Sequence, residues 1–255
     1  MIENSSAVHD VFTPVAPAYR AINHALTFGL DGYWRRQAVR RALRGGPAPA
    51  AALDVCTGTG ETAALLHRLG RGKTVVTGVD FNAAMLREAE RRAADITFRQ
   101  ADATALPFTD GSFDVITISF ALRNLHVTTD RFTACMRECL RVLRPGGRLV
   151  TVETTQPPCA FVRWIVRRYV GLIVPRLGAR LSGSRAAYAY LAGTIPRFHG
   201  APELAAILRA AGFERVDYTY LTAGLVAIHE AVKAGKRTET ENEREEGRET
   251  PHGDA

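Results

Sequence analysis

Three carboxylates and a serine stand where short apolar runs end. Asp54 lies in AALDVC, Asp80 closes TVVTGVD, Asp102 closes ITFRQAD, and Ser119 is near the end of FDVITISF. Carboxylates so placed accept hydrogen bonds from sugar hydroxyls, amino groups or a base edge. The segment Leu53–Ala63, LDVCTGTGETA, is an apolar run that breaks into a glycine-punctuated turn and then an alanine-rich helix. Gly58 and Gly60, flanking Thr59, let the backbone approach a ligand where a side chain would clash. The helix start behind them presents free N–H groups. Together these residues describe a nucleotide cradle, with Asp80 placed to accept from both ribose hydroxyls.

Which nucleotide is a question of charge. GTGETA satisfies the GxGxxA pattern of dinucleotide sites, a weak signal by itself. About fifty residues precede the first strand, and acidic Glu61 stands at the helix start, where a diphosphate wants no anion. S-adenosylmethionine carries a sulfonium and an α-amino group and no phosphate. Asp54 and Glu61 suit its cationic end, directly or through water, although Glu61 also fits as an ordinary acid at a helix N-terminus. Asp102 and the backbone N–H of Ala103 form an acceptor–donor pair for an adenine edge. Ser119 shares their carboxyl edge, where open α/β sheets bind ligands. No metal is expected. Cys56, Cys135, Cys139 and Cys159 lack paired CxxC or Cys/His spacing and are expected to be buried structural thiols.

The elements that must position these residues follow from periodicity. AALDVC, TVVTGVD, ITFRQAD, FDVITISF and GRLVTVET predict strands, separated by helical patterns over Glu61–Leu69, Ala83–Ala93 and Arg131–Leu143. Arg144-Pro145-Gly146-Gly147 predicts a stop and a turn. Such alternation implies a parallel sheet covered on both faces. After Glu153 the rhythm changes: TQPP is a break, and Ala160–Leu177 and SRAAYAYLAG predict helices. APELAAILRAAGF predicts another, and RVDYTYL and GLVAIHEAV predict an antiparallel pair at the sheet edge, joined by Thr222-Ala223-Gly224. The expected organisation is a helical N-terminal cap over 1–46 and an α/β domain over 47–233 with a helical lid at about 157–200. A disordered tail over 234–255 completes it.

The net charge of +7 conceals a polarity, because the tail carries seven acidic against four basic residues and leaves the body at +10. Arginines concentrate at Arg35, Arg36, Arg40, Arg41 and Arg44 and again from Arg163 to Arg185. A basic surface suits nucleic acid or anionic lipid, and arginine used as a solvated cation accounts for it equally. No apolar stretch is long enough to span a bilayer, and MIENSSAVHD lacks a signal peptide's apolar core, so a cytoplasmic protein is expected.

The chain resembles the class I S-adenosylmethionine-dependent methyltransferases through LDVCTGTGE, GVDFNAAML, ADATALPF, SFDVI and LRVLRPGG. Within them VFTPVAPAYRAINHALTFGLDGYWRR, TISFALRN, AYAYLAGTI and AGFERVDYTYLTAGLVAIHEAVK resemble the ubiquinone/menaquinone biosynthesis C-methyltransferases. The resemblance implies a Rossmann-like, doubly wound, mostly parallel seven-stranded sheet with an antiparallel C-terminal edge strand. It implies S-adenosylmethionine as cofactor and methylation of a ring carbon of demethylmenaquinol or a related polyprenyl quinol. Thr59, Asp80, Asp102, Ala103 and Ser119 match the family's cofactor contacts, and Tyr19, Arg123 and Asn124 match its polar cluster beside the reacting ring. The chain departs from the family at Tyr19-Arg20, where a base replaces an acid, at Leu125-His126-Val127, and at TVETTQPP.

A quinol hydroxyl that ionises pushes electron density onto the ortho carbon, which then attacks the sulfonium methyl in line. The expected role of Arg123 is electrostatic, with Tyr19 and Asn124 holding it or an activated water. Histidine is the residue type whose ordinary pKa suits a base, which draws attention to His126, yet the family does not place one there. Phe161, Trp164, Ile165, Leu172 and Ile173 are expected to line an isoprenoid groove, with Arg163, Arg167 and Arg168 towards the inner face of a membrane. A lid helix packed on the core, or a homodimer contact, is the alternative for that stretch. Two other functions stay open: methylation of a soluble aromatic or polyketide molecule, and a non-enzymatic basic module binding RNA or lipid. The module leaves the convergent carboxylates idle, and no nucleic-acid partner is expected.

Overall fold

The computed structural model describes residues 12–44, 49–125 and 128–235. Its centre is a seven-stranded sheet of order β3-β2-β1-β4-β5-β7-β6. The strands are β1 (Ala51–Val55), β2 (Val75–Asp80), β3 (Thr97–Gln100), β4 (Phe113–Ser119), β5 (Leu143–Thr154), β6 (Arg215–Leu221) and β7 (Val226–Val232). The first five in that order are parallel, and β7 runs antiparallel to both β5 and β6. The antiparallel pair therefore closes the edge as expected, with β6 outermost and β7 one place in. The chain winds outward from β1 to β3 and then returns beside β1 as β4. This reversal is the switch point where open α/β sheets bind ligands.

The helices are α1 (Ala16–Leu26), α2 (Leu30–Ala42), α3 (Glu61–Gly70), α4 (Ala83–Arg92), the single turn α5 (Leu122–Leu125) and α6 (Thr129–Val142). After the sheet's fifth strand come α7 (Ala160–Ser182), α8 (Arg185–Thr194) and α9 (Ala201–Ala210). Alternation along the strands divides the core into two layers. Leu53, Val55, Ile116 and Ile118 join α6 and α9 through Phe132, Cys135, Met136, Cys139, Leu204 and Leu208. Ala52, Val76, Val115, Val150 and Val152 face the other way, onto α2 and α3.

On that second face Trp34, Ala38, Val39 and Ala42 of α2 pack beside Ala63 and Leu66. So α2 is a layer of the sheet, and within the expected N-terminal cap it is α1 that packs with the lid. Ile22 and Leu26 of α1 join Val174, Tyr188 and Leu191 of α7 and α8. The two lid helices meet at Gly178, where a Cβ would lie 2.2 Å from the Tyr188 ring. Only a glycine lets them cross so closely.

Two local expectations change. Sheet pairing resumes at once after α6: Leu143 pairs with Phe113 and Arg148 with Val115, so Arg144–Gly147 is a bulge inside β5 instead of a loop before it. Helix α7 continues through Pro175 to Ser182, past the expected end at Leu177, and stops at Gly183 with φ of 72°. Of the four cysteines Cys135 and Cys139 are buried, Cys56 is half-buried and Cys159 is exposed, so the structural-thiol expectation holds for the α6 pair alone. His126 and residues 236–255 lie outside the described residues.

Candidate active site

The glycine turn is built on Asp54. Its carboxylate is 1% exposed and accepts from Thr57 Oγ1 and Thr117 Oγ1, both at 2.6 Å, which ties the turn to β4. Burial raises its pKa from 3.8 to about 6, against the lowering by the two hydroxyls. Asp54 does not line the cavity above the turn; its place is underneath. Gly58, with φ of 57°, donates its N–H to Asp80 Oδ2 at 2.8 Å. Gly60 is also left-handed, and a Cβ there would sit 2.9 Å from Ala89 Cβ. It serves the approach of α4 and does not line the cavity. Thr59 Oγ1 donates to both oxygens of Glu61, at 2.7 and 2.9 Å, and Arg92 Nε donates to the Thr59 carbonyl at 2.8 Å.

Asp80 ends β2 at the switch point. Its oxygens accept from the backbone N–H groups of Gly58 and of Asn82, the latter at 2.9 Å. Burial pushes its carboxyl up, and those amides partly oppose it. Ser119 ends β4 and accepts from Thr62 Oγ1 at 2.9 Å. These residues surround a cavity of about 930 Å³, its open mouth included, lined by Gly58, Thr59, Glu61, Asp80, Ala103, Ser119 and Asn124 among others. That volume suits a nucleoside-sized ligand. Asp102 lies just past β3 and outside this lining. Arg131 Nη2 donates to both its oxygens, at 3.0 and 2.9 Å, and Thr104 donates from its N–H and its hydroxyl. Partial burial raises the Asp102 carboxyl, but the Thr104 amide and Arg131 outweigh it and hold it below its ordinary value.

A second cavity, about 1300 Å³ with its mouth, adjoins the first and shares Tyr19, Arg35 and Phe120 with it. Its walls are mainly apolar, from Leu26, Leu30, Trp34, Val170, Leu191 and Leu225. Ile165 and Phe28 line it and are exposed, which marks the mouth beside α7. Arg123 lines this cavity and donates Nη1 to Glu153 Oε1 at 2.8 Å; the two residues are 8% and 1% exposed. Arg123 Nε and Glu153 Oε2 are buried without a partner. Asn124 Oδ1 accepts from the Tyr190 hydroxyl of α8 at 3.2 Å, so the lid reaches the polar cluster. Arg20, the base standing where an acid was expected, is exposed.

The sequence-predicted groove residues separate. Ile165 lines the second cavity, but Phe161, Trp164, Leu172 and Ile173 project outward, and Val166, Tyr169, Val170 and Val174 line it in their place. The reason is helical phase, since positions 166, 170 and 174 recur at one face of α7. Among the described residues no group of three or more His, Cys, Asp or Glu is placed to hold a metal ion. Arg35 and Glu153 also line or brace these cavities, and neither is among the residues expected there. Glu153 had the same signal as Asp80, a carboxylate at the carboxyl end of a strand, whereas Arg35 is one arginine among five.

Comparison with known proteins agrees with this geometry. The model of the ubiE/COQ5 methyltransferase family matches residues 1–233. A demethylmenaquinone methyltransferase of Thermus thermophilus is 42% identical over 223 residues, 86% of this chain and 98% of that protein. The ubiquinone/menaquinone biosynthesis C-methyltransferase UbiE of Desulfotalea psychrophila is 38% identical over 91% of this chain and 93% of its own. Among solved structures an S-adenosylmethionine-dependent methyltransferase of Thermotoga maritima superposes with a TM-score of 0.62 at 19% identity. It covers 88% of this chain and 98% of that one. The [4+2]-cyclase SpnF reaches 0.63 at 19% identity, covering 89% and 95%, so likeness at this distance reports the fold alone. The chain belongs to the ubiE/COQ5 methyltransferase family and is an S-adenosylmethionine-dependent methyltransferase.

Proposed function

We propose that the chain methylates a ring carbon of demethylmenaquinol or a related polyprenyl quinol. The observation that carries this reading is the pair of cavities with a common wall: a more polar one over the glycine turn and a larger, mainly apolar one that opens beside α7. The names of the two relatives above, which designate quinone-pathway methyltransferases, support it. In the polar cavity the fit to the cofactor rests on Asp80 for the ribose, Ala103 for the adenine, and Thr59 and Ser119 along its length. Asp102, outside the lining and held by Arg131 and Thr104, would fix the loop that carries Ala103, and Asp54, Gly58 and Gly60 would keep the turn in shape. Bound there, S-adenosylmethionine supplies an electrophilic methyl group.

The chain's residues supply the rest. The apolar cavity orders the quinol ring at Tyr19 and Phe120 and excludes water, which strengthens every charge inside it. Arg123 stabilises negative charge on the ring oxygen as the hydroxyl proton passes to a water at the Tyr19–Asn124 cluster, and the proton that the ring carbon sheds after methyl transfer restores the hydroxyl. The pairing of Arg123 with Glu153 keeps the guanidinium fixed, so no reorganisation is needed as the charge develops. Asn124, anchored by Tyr190, and Tyr19 orient the hydroxyl or a water beside it. The isoprenoid tail leaves along α7 past Ile165 and Phe28.

The outward face of α7 extends this reading to a membrane. Phe161 and Trp164 stack there at 6.4 Å, Arg168 lies over the Trp164 ring at 5.5 Å, and Leu172, Ile173 and Leu181 are exposed among arginines. No helix among the described residues is long and apolar enough to cross a membrane. We therefore place this face, with the mouth of the apolar cavity, on the anionic inner leaflet. Sedimentation with anionic vesicles at low salt tests it. Absence of binding, or a homodimer that buries Trp164, refutes it. The function itself is tested by expression in a strain lacking quinone C-methylation, with quinones followed by mass spectrometry. Restored methylation supports it, and an unmethylated pool favours a soluble aromatic or polyketide acceptor.

A further inference from the structure

Among the described residues Arg35 is a buried cation with no ion-pair partner; the Asp54 carboxylate feels its field but does not touch it. It is 8% exposed, and its one hydrogen bond among the described residues runs from Nη1 to Thr62 Oγ1 at 3.2 Å. Nε is buried without a partner, and no described carboxylate lies within the 4.0 Å of an ion pair. Its guanidinium sits over the Phe120 ring, 4.9 Å from the centroid, which fixes the plane and leaves N–H edges free. Phe120 itself is held at φ of 58°, a conformation costly for an aromatic residue and typical of ligand sites. A buried charge left unpaired is expensive, so the arrangement calls for an anion that the described residues do not supply.

Both cavities touch Arg35, and the surrounding groups decide between them. In the acceptor cavity Arg123 is already present to meet a ring oxygen. In the cofactor cavity the other lining cation, Arg131, is spent on Asp102. Asp54, the buried carboxylate that feels the field of Arg35, is spent on Thr57 and Thr117. Arg35 is tied through Thr62 to Ser119, at the first turn of α3, where the helix N-terminus also favours negative charge. S-adenosylmethionine carries one anionic group, its α-carboxylate.

We propose that Arg35 is the counter-ion of the cofactor's α-carboxylate, and that the Thr62–Ser119 pair positions it. This rests on the reading of the polar cavity as the cofactor site. The test is calorimetric binding of S-adenosylmethionine and of decarboxylated S-adenosylmethionine, which keeps the sulfonium and the ammonium. Wild type is expected to prefer the carboxylated ligand by at least about 30-fold, the low end for removing one partner of a buried charge pair. In Arg35→Met that preference collapses while the decarboxylated ligand binds as before; Arg35→Lys retains part of it. Without ligand, Arg35→Met should melt no lower than wild type, because it removes an unpaired charge. Equal affinity of wild type for both ligands overturns the proposal and leaves the cofactor site standing; failure to bind either overturns both. Loss of both ligands together in Arg35→Met, or a fall in kcat with cofactor binding unchanged, also overturns it. The second outcome would assign Arg35 to the acceptor.

Discussion

Replacing Glu153 by glutamine separates the charge of Arg123 from its partner without emptying the space between them. The two groups are 2.8 Å apart and almost wholly buried, and Glu153 Oε1 also accepts from the Thr154 N–H and hydroxyl. Glutamine can keep those bonds through its own oxygen. It cannot neutralise Arg123, and it puts an NH₂ group where Glu153 Oε2 now has no partner. Breaking a buried pair from one side costs about 3–5 kcal/mol. For a domain this long each kcal/mol moves Tm by about 2–4 °C, so a fall of about 6–20 °C is expected. Urea unfolding at constant m measures the same loss. Arg123→Met alone strands Glu153, whereas the double substitution removes the pair and should recover at least about 2 kcal/mol relative to the sum of the singles. Turnover should remain lost in the double variant, since stability returns without the cation. A Glu153→Gln cost under about 1 kcal/mol, or additive singles, would refute the reasoning.

Three further outcomes follow from the same geometry. Asp80→Ala removes the acceptor of two backbone amides together with the ribose contacts. It should weaken S-adenosylmethionine binding at least about 100-fold by calorimetry, at about 1.5–3 kcal/mol for each hydrogen bond to a charged group; a change within threefold speaks against the assignment. Asp54 titrates near 6 when folded and near 3.8 when unfolded, so the folded state takes up its proton first as pH falls. Its burial cost is absent below about pH 4 and complete above about pH 6, roughly 3 kcal/mol in all. The stability of wild type relative to Asp54→Asn should thus rise by about 2 kcal/mol between pH 7 and pH 4.5, and a constant difference in urea unfolding contradicts it. Gly178→Ala forces a methyl group into the Tyr188 ring and should cost about 1–3 kcal/mol, visible as a lower melting temperature; an unchanged melting temperature would mean the lid helices separate freely.

What the sequence reveals of the site follows from periodicity. Parallel strands read as short apolar runs, and their carboxyl ends must gather on one edge. Asp80, Ser119 and the glycine turn were therefore legible at once. Asp54 and Gly60, expected at the cofactor, belong to the turn the motif marks but lie on its inner side, because a motif does not say which of its residues face the ligand. Glu153 carried the strand-end signal and was passed over. Arg35 carried none: among Arg35, Arg36, Arg40, Arg41 and Arg44 only three-dimensional burial singles it out. The lid was misphased for a related reason. On α7 apolar residues and arginines surround the whole helix, so periodicity cannot choose the inner face, and packing against α1 and α8 does. The bulge in β5 hid behind Pro145, Gly146 and Gly147, which carry turn chemistry wherever they occur.

Methyl transfer to carbon on a polyprenyl quinol is measured without intermediaries in a reconstituted reaction. Purified full-length chain is incubated with S-adenosylmethionine bearing a labelled methyl group and with reduced demethylmenaquinol in anionic vesicles, and the product is read by mass spectrometry. One labelled methyl on a ring carbon of the quinol is expected, with S-adenosylhomocysteine formed in equal amount and both lost in Arg123→Met. A methyl ether on the quinol oxygen, or no transfer to the quinol by a protein that binds the cofactor, would contradict it.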